Sequence, residues 1–397
     1  MSSALPPGGV DAREVQDRQQ LAQYLARSLT GDYLMTVGED ELVQTSTFVK
    51  SYVVEAHTVD HDQFVKGLRS VFSEVLPRAE PQLWLLFDDA QNAYFCDILS
   101  PRFVVIHTTA KTDATDAALQ RLTERNVPGF DRVWMPTQFL RNTRRGRMTG
   151  FKFGFEPAVQ GIVYEGDEFL PSASGPSQSH RERFRMYVAE DRTAEQSYRR
   201  IWEAPLFLGR KALEHIQFIA MDDADRFISD RVFANGKIIG NGTSIGSHLL
   251  TVEKVLTSYS DLLARIEDHC LGWVAVDGRI VHRGEPFLIT FPEDLEIVDL
   301  PAVAHSIVRP TRPFRLLGIP HGVSENRVDV EAIDLHTGDA FALEFTKEWM
   351  RVYLPRGTCG NVVTRLFSNL QHSFHSGVQL TTGSGELLFI EESSHED

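Results

Sequence analysis

The stretch LWLLFDDAQNAYFCDILSPRFVVI (residues 83–106) contains three apolar runs separated by two short polar segments, the first of which begins with Asp-Asp-Ala. Residues 218–239, FIAMDDADRFISDRVFANGKII, have the same order of apolar runs, and Asp-Asp-Ala again follows the first run. Short apolar runs bounded by turn residues are typical of β-strands. The sequence therefore predicts a module of three strands that occurs twice, either through internal duplication or by coincidence.

Helical periodicity follows each module. Apolar residues recur at helical spacing over residues 114–122 after the first module and over residues 249–266 after the second. Residues 273–282 and 328–345 each contain two apolar runs around an X-Gly turn dipeptide, which indicates a hairpin. Because antiparallel hairpins alternate with single helices, the predicted fold class is α+β, with two lobes of antiparallel sheet and helices packed mainly on one face.

A segment rich in Ser, Pro and Gly, residues 171–178, lies between the two modules, as a duplication requires. Such a composition cannot bury enough apolar surface to order itself, and it indicates a linker. The predicted organisation is, in chain order, a disordered tail (residues 1–12), an N-terminal α+β lobe (13–165), a linker (166–190), a C-terminal α+β lobe (191–390) and an acidic tail (391–397).

Composition restricts the classes of partner. The chain has 397 residues, 42% of them hydrophobic, and no apolar run reaches the roughly 20 residues that a transmembrane helix requires, so no membrane partner is expected. The N-terminus does not have the basic and apolar regions of a secretory signal, and three widely spaced cysteines indicate a reducing cytoplasm. The net charge of −15 disfavours non-specific binding to nucleic acid, although it is compatible with a local basic patch.

The glycine-rich segment GNGTSIG (residues 240–246) follows a predicted strand and precedes the strongest predicted helix. Residues 242–246 satisfy G-x-S-x-G, so Ser244 could be the nucleophile of a hydrolase. The glycines are spaced one residue too widely for a dinucleotide-binding loop. A third interpretation is a helix start at which Gly242 and Thr243 bind an anion through N–H groups, or at which the segment only caps the helix.

A related segment, Arg356-Gly357-Thr358-Cys359-Gly360-Asn361, again lies between a strand pattern and a helical pattern. The helix dipole and arginine side chains both favour phosphate. The segment therefore predicts an anion site at Gly357 and Thr358, and the alternative is a surface loop with solvated arginines. The arginines assigned to this site are Arg309, Arg312, Arg315, Arg351, Arg356 and Arg365.

A second basic patch adjoins an aromatic strand pattern at residues 151–155, Phe-Lys-Phe-Gly-Phe. Cations that follow a phosphate backbone, beside rings that stack on bases, form a platform for single-stranded nucleic acid. The alternative is a hairpin whose three phenylalanines share one face and pack into the core. The basic residues assigned to this patch are Arg141, Arg144, Arg145, Arg147 and Lys152.

Acidic residues could instead form the metal site of a nuclease. Asp329 precedes Glu344 and Lys347, an order that is similar to the acid–acid–lysine set of nucleases. Two residues separate Glu344 from Lys347, however, so in a strand their side chains would point to opposite faces. Asp329, Glu344 and Lys347 join Ser244 as candidate catalytic residues.

The leading functional prediction is a non-catalytic cytoplasmic binding protein that contacts a phosphate-bearing ligand through its Arg clusters. That ligand could be nucleic acid within a larger assembly. No cofactor and no metal are predicted, because the cysteines do not have metal-ligand spacing. The alternatives are a serine- or metal-dependent hydrolase, of esterase or nuclease type, and a structural subunit of a protein complex. The leading prediction requires that arginines distant in the sequence gather in one anion-binding pocket.

Overall fold

The computed structural model describes residues 11–38, 48–57, 61–124, 129–164, 183–189, 193–204, 209–276 and 278–389. These residues form a short 3₁₀ helix (Ala12–Glu14), eight α-helices and 21 strands. The helices are α1 (Arg18–Gly38), α2 (His61–Arg69), α3 (Thr112–Glu124), α4 (Thr137–Asn142), α5 (Ala194–Glu203), α6 (Ile245–Asp268), α7 (Leu300–Ile307) and α8 (Asn361–Ser373).

The strands are β1 (Val49–Ala56), β2 (Glu74–Pro77), β3 (Leu83–Phe87), β4 (Ala93–Ile98), β5 (Phe103–Thr108), β6 (Phe130–Arg132), β7 (Arg147–Phe155), β8 (Ile162–Tyr164), β9 (Phe184–Ala189), β10 (Leu213–Met221), β11 (Phe227–Phe233), β12 (Lys237–Gly242), β13 (Gly272–Val276), β14 (Arg279–Arg283), β15 (Phe287–Thr290), β16 (Leu295–Ile297), β17 (Leu316–His321), β18 (Val328–Asp334), β19 (Ala340–Phe345), β20 (Trp349–Tyr353) and β21 (Gln379–Thr382). Antiparallel sheets with intervening helices confirm the predicted α+β class.

The chain divides into two compact units that interleave along the sequence. Unit 1 comprises Met1–Val133, Thr143–Thr149 and Ile216–Ser258, and unit 2 comprises Trp134–Asn142, Gly150–His215 and Tyr259–Asp397. This division differs from the predicted linear one, because α6, β7 and β10 each contribute residues to both units. None of the helices in the described ranges combines the length and the apolar character that crossing a bilayer requires.

The predicted tails and linker fall largely outside the described residues, which omit 1–10, 165–182, 190 and 390–397. Within the predicted N-terminal tail, Asp11 accepts a hydrogen bond from the Arg13 N–H at 2.9 Å and caps the 3₁₀ helix. Within the predicted linker, residues 184–189 form β9 and pair with β7. These six residues form a ladder with a strand that lies about thirty residues earlier in the chain.

Unit 1 is built on one sheet with the strand order β2-β3-β4-β5-β1-β12-β11-β10. Strand β1 lies in its interior and pairs antiparallel with both β5 and β12, the last strands of the two predicted modules. Strand β6 also pairs with β1 beyond the end of β12. The two modules, β3-β4-β5-α3 and β10-β11-β12-α6, therefore have the same order of elements and lie on opposite sides of β1.

The first turns of the two modules share their hydrogen bonds. Asp88 Oδ1 accepts from the backbone N–H groups two and four residues later, at 3.0 and 2.9 Å, and Asp222 Oδ1 does the same at 3.0 and 3.0 Å. The third residue after each aspartate, Gln91 or Asp225, has a positive φ, of 61° and 56°. This agreement is what an internal duplication predicts, and it assigns the two Asp-Asp-Ala sequences to turn formation.

Helices cover both faces of the unit 1 sheet, where the sequence predicted mainly one. Leu68 of α2 and Leu119 of α3 pack in one apolar cluster with the even-numbered side chains of β1. Leu25 of α1 packs in a second cluster with Val49 of β1 and the odd-numbered side chains of β3. Strand β1 is buried at every position because both faces of the sheet are covered.

Unit 2 contains a six-stranded sheet with the order β17-β18-β19-β20-β15-β21. Val328, Val330 and Ala332 of β18 point to the buried face, while Ile319 of β17 and Ile333 of β18 are exposed on the other. Helix α8 is buried at every position except His372. Two separate two-stranded sheets, β13–β14 and β16–β8, also belong to this unit.

Candidate functional site

The basic residues near the aromatic strand β7 are paired with carboxylates in unit 2. Arg141 Nη2 lies 3.4 Å from Glu195 Oε1, and its guanidinium lies 5.0 Å from the centre of the Tyr198 ring. Lys152 Nζ forms an ion pair with Glu214. The three phenylalanines of residues 151–155 are buried. The buried rings and the two ion pairs support the alternative, a strand whose rings pack into the core.

The other three residues of this patch, Arg144, Arg145 and Arg147, belong to unit 1. Two of them form hydrogen bonds with α6. Arg145 Nη1 donates to the Ser247 carbonyl at 3.0 Å, and Lys254 Nζ donates to the Arg144 carbonyl at 2.9 Å. Arg147 is exposed at the start of β7. The five predicted cations are thus divided between the two units, and two of them take part in contacts that fix the local backbone.

Backbone N–H groups just before α6 are hydrogen-bonded to other groups of the protein. The N–H groups of Thr243 and Ser244 both donate to the Phe227 carbonyl, at 2.8 and 3.0 Å, and Thr243 Oγ1 accepts from the Phe227 N–H at 3.2 Å. Gly242 has a φ of 149°, and a Cβ built there would lie 2.4 Å from the same carbonyl oxygen. Gly242 is required by this close approach. The Thr243 N–H, which was predicted to hold an anion, is already bonded.

Ser244 caps α6. Its hydroxyl donates to Asp222 Oδ2 at 2.7 Å and accepts from the Ser247 N–H at 3.3 Å, and its side chain is buried. That hydrogen bond is the main reason why the pKa of Asp222 lies below its usual value. The described contacts of this hydroxyl include no imidazole that could act as a base, so Ser244 is not built as a nucleophile.

A serine–histidine–aspartate set does occur in unit 1, at other residues. Ser51 Oγ lies 2.9 Å from His248 Nε2, and His248 Nδ1 lies 2.7 Å from Asp230 Oδ1. These distances fit a catalytic triad. All three side chains are fully buried, however, so a substrate has no access to the hydroxyl. The set supports the sheet and gives no support to the hydrolase alternative.

The start of α8 is closed by carboxylates in unit 2. The Gly360 N–H donates to Glu267 Oε1 at 2.8 Å, and the Cys359 N–H donates to Asp339 Oδ2 at 3.4 Å. Gly357 has a φ of 91°, and Thr358 is buried with its N–H on the Pro355 carbonyl. Carboxylates of the protein therefore occupy the place that was predicted for a phosphate.

The arginines assigned to the α8 site differ in burial and in partners. Arg365 is fully buried, forms an ion pair with Asp334 and donates through Nε to the Phe314 carbonyl at 3.1 Å. Arg315 is buried, whereas Arg309, Arg312 and Arg356 are exposed. Although the Arg312 side chain is exposed overall, partial desolvation of its guanidinium, and then the charge of Arg315, lowers its pKa.

Arg351 lies on the outer face of the unit 2 sheet together with the acidic catalytic candidates. Its guanidinium stacks 4.2 Å from the centre of the Trp349 ring, and Nη1 lies 3.6 Å from Glu344 Oε2. Glu344 also accepts from the Tyr353 hydroxyl at 2.6 Å and lies 3.0 Å from Arg327 Nη1. A guanidinium thus occupies the position that a metal ion would need beside Glu344.

The other two members of the proposed nuclease set are placed differently. Asp329 is the cross-strand partner of Glu344 and accepts from Arg327 Nε at 2.9 Å. Lys347 is exposed in the turn between β19 and β20, beyond the ladder that holds the two carboxylates. Among the described contacts, Lys347 has none with either acid, so this set does not support a nuclease site.

A polar cavity that the sequence did not reveal lies in unit 1, between β1, α3 and β6. Its volume is about 110 Å³. Six of its lining residues carry polar side-chain groups, and Val53, Val54 and Leu119 complete the wall. The polar lining residues are Tyr52, Asp116, Gln120, Thr123, Arg132 and Asn235.

Asp116 connects this cavity to a buried lysine. Its carboxylate accepts from the Tyr52 hydroxyl at 2.7 Å and from Lys237 Nζ at 2.8 Å to each oxygen. The side chain of Lys237 is only 6% exposed, whereas that of Asp116 is 48% exposed. Lys237 Nζ also lies 5.3 Å from the centre of the Phe233 ring. The ammonium is therefore held between rings and one carboxylate at the edge of the cavity.

Lys237 and Arg132, the two cations at this cavity, both have a pKa below the usual value. Burial lowers the pKa of Lys237; Asp116 opposes this effect, and the charges of Arg132 and Arg231 add to it. Burial also lowers the pKa of Arg132, whose Nη2 lies 2.8 Å from Glu124. Burial, and then the charge of Asp116, raises the pKa of Tyr52, so its hydroxyl remains a donor. The carboxylates present do not fully compensate the two buried cations.

Residues 10–389, nearly the whole chain, match the MJECL33-like protein family. The chain belongs to this family. One relative is the uncharacterized protein MJECL33 of Methanocaldococcus jannaschii, which is 26% identical over 390 residues, covering 91% of this chain and 93% of that protein. No solved structure matches the chain.

One local signal for the cavity was present in the sequence. Lys237 directly follows the Asn235-Gly236 turn and begins the apolar run of β12, where a charged residue facing the sheet needs a partner. The partner could not be identified from the sequence, since Asp116 lies 121 residues earlier on a different element.

Proposed function

We propose that the protein binds a phosphate-type oxyanion in the cavity between β1, α3 and β6, without changing it chemically. The observation that carries this proposal is a cavity lined by a partly buried arginine, Arg132, with a buried cation, Lys237, bonded to its wall at Asp116. Both cations have a lowered pKa because burial outweighs their carboxylate partners. An anion in the cavity would favour the charged forms of both side chains.

The size of the cavity selects among phosphate-bearing ligands. A volume of about 110 Å³ compares with about 30 Å³ for each water molecule in the liquid. It therefore accommodates a single phosphate, whereas pockets for whole drug-sized ligands measure roughly 300–1,000 Å³. The ligand is either inorganic phosphate or the terminal phosphate of a larger molecule that extends beyond the opening.

The proposal replaces the Arg clusters by Arg132, which lines the cavity, and Lys237, which is bonded to its wall. Their carboxylate partners, Glu124 and Asp116, do not offset the effect of burial on their pKa. It retains a binding role without catalysis. A cytoplasmic location is part of the proposal, and three buried cysteines without a disulfide support it.

Thermal unfolding and calorimetry with inorganic phosphate, a mononucleotide and a single-stranded oligonucleotide test the proposal and separate the two sources of phosphate. We expect phosphate to raise the Tm relative to chloride at equal ionic strength, since a ligand that binds only the folded state stabilises it. Lys237→Gln and Arg132→Gln should abolish this effect. The matched controls are Lys111→Gln and Arg69→Gln, which change exposed cations of the same unit.

An unchanged Tm in every phosphate solution would end the proposal, as would full phosphate binding in folded Arg132→Gln. Arg132→Lys keeps the charge and serves as a second variant should Arg132→Gln fail to fold. Binding should also weaken with rising pH once Lys237 loses its proton, and this occurs below the ordinary lysine value of 10.5.

A further inference from the structure

An exposed hairpin forms a separate two-stranded sheet in unit 2. Strands β13 and β14 pair with each other and, within the described residues, with no other strand. Trp273 is 71% exposed and Ile280 is 76% exposed. An isolated two-stranded hairpin is marginally stable in water, and exposed apolar surface on such an element marks a contact surface.

The apolar residues of the hairpin share one face. Trp273 lies opposite His282, and Ala275 lies opposite Ile280, so these two cross-strand pairs project from the same side of the pleat. The Trp273 and His282 rings are 5.4 Å apart in an edge-to-face arrangement. The face thus combines an indole, an imidazole and aliphatic side chains.

The charge of the hairpin is opposite to that of the whole chain. Arg279 and Arg283 begin and end β14, whereas the chain carries a net charge of −15. A partner with complementary charge must therefore be acidic. The chain itself meets this requirement.

An open hollow with acidic groups lies where the hairpin joins the rest of unit 2. It measures about 340 Å³ and is lined by residues 283–285 with Asp268 and His269. Glu285 Oε1 lies 3.8 Å and Glu386 Oε2 lies 4.0 Å from His269 Nε2. Three carboxylates, Asp268, Glu285 and Glu386, thus lie near the base of the hairpin and outnumber Arg283, which also lines the hollow. Arg279 lies near the turn of the hairpin.

We propose that two copies of the chain associate through this hairpin in an antiparallel arrangement. Each Arg279 then lies against the acidic hollow of the second copy, and the faces that carry Trp273 and Ile280 pack on each other. Six residues separate Arg279 from Glu285, a span of roughly 20 Å in an extended strand. A two-fold axis halfway along the hairpin brings each turn to the base of the other hairpin and satisfies both contacts at once.

A second copy fits better than nucleic acid. Beside its two rings, this face presents the aliphatic groups of Ala275 and Ile280, on which a base cannot stack and which suit an apolar protein face. The complementary acidic hollow is also present on the same chain. A contact limited to one hairpin from each copy is small, so the dimer is weak and depends on concentration.

Sedimentation equilibrium from low to high micromolar protein tests the proposal. We expect the mean mass to rise from monomer towards dimer with concentration. Trp273→Ser and Ile280→Ser should keep the protein monomeric, and both positions are exposed enough to leave the fold intact. The matched control is Ile319→Ser, which removes an equally exposed isoleucine, 73% exposed, from β17 of the same unit.

A charge exchange tests the arrangement itself. Arg279→Glu and Glu285→Arg should each weaken the dimer by placing like charges opposite each other. An equimolar mixture of the two variants should dimerise again, because each heterodimer then contains two opposite-charge contacts. A monomer at every concentration overturns the proposal, and so does a dimer that Trp273→Ser and Ile280→Ser leave unchanged. A mixture that stays monomeric overturns the antiparallel arrangement.

Discussion

Ser51 Oγ lies 2.8 Å from His107 Nδ1, across the pairing of β1 with β5, and both side chains are buried. The same hydroxyl lies 2.9 Å from His248 Nε2 on its other side. Ser51 can donate to one imidazole and accept from the other, so the two rings must hold complementary protonation states. The group joins β1, β5 and α6 and continues to Asp230 of β11.

Stability should fall below neutral pH because of His107. Burial, and then the charge of His248, lowers the pKa of His107 from 6.5 to about 3. Between these pH values His107 is protonated in the unfolded chain but neutral in the folded chain. The stabilisation that is present above pH 6.5 is therefore lost as the pH falls towards 3. This residue contributes a slope of up to about 1.4 kcal/mol per pH unit.

Urea unfolding at several pH values measures that slope. His107→Gln should reduce it relative to the wild type, while His375, whose pKa burial also lowers, contributes equally to both proteins. Identical slopes in the two proteins would show that His107 is accessible to protons in the folded state.

Removing the acceptor at the far end of the group should destabilise the fold strongly. Asp230 and His248 are both fully buried, and Asp230→Ala leaves the His248 Nδ1 without the carboxylate that it contacts. Loss of one partner from a buried pair costs about 3–5 kcal/mol. The urea midpoint measures this loss. Asp223→Ala, at an exposed aspartate of the same unit, is the control and should change stability by less than about 0.5 kcal/mol.

Neutralising Asp116 should strengthen phosphate binding. Its carboxylate bonds Lys237 and faces the cavity, so it competes with a phosphate for the same cation. Asp116→Asn removes one negative charge while keeping the shape of the side chain, and we expect affinity to rise roughly three- to tenfold. Calorimetry with inorganic phosphate measures the change. Asp113→Asn, an exposed aspartate of the same helix, should leave the affinity unchanged.

A decrease in phosphate affinity in Asp116→Asn would be equally informative. Weaker phosphate binding in Asp116→Asn would mean that the carboxylate helps to hold the ligand. Asp116 would then be part of the phosphate site, either directly or by positioning Lys237, and would not compete with the ligand.

Local chemistry accounts for the parts of the fold that the sequence predicted. The turns after Asp88 and Asp222 were predictable because each aspartate bonds backbone groups within four residues. The helix over residues 249–266 and the hairpin at 273–282 rest on periodicity and on a turn residue, Gly278, with a φ of 75°. Each of these signals lies within one element.

The parts that were missed depend on contacts between distant residues. Arg365 resembled a surface cation in the sequence, but it pairs with Asp334, 31 residues earlier, inside unit 2. The carboxylates that close the start of α8 come from two other segments, at Glu267 and Asp339. An arginine cluster in a sequence therefore predicts an anion site only after the carboxylates around it are known.

Two glycines at the start of α6 should respond oppositely to the same substitution. Gly242→Ala places a Cβ 2.4 Å from the Phe227 carbonyl oxygen at a φ of 149°, which only glycine adopts readily, so we expect a loss of about 1–3 kcal/mol. Gly246 has no atom within 4 Å of its Cβ position, and Gly246→Ala in the helix should stabilise by about 0.4–1 kcal/mol. Urea midpoints of the two variants measure both effects. Equal destabilisation by both would mean that the helix start, and not the approach to Phe227, determines the requirement for glycine.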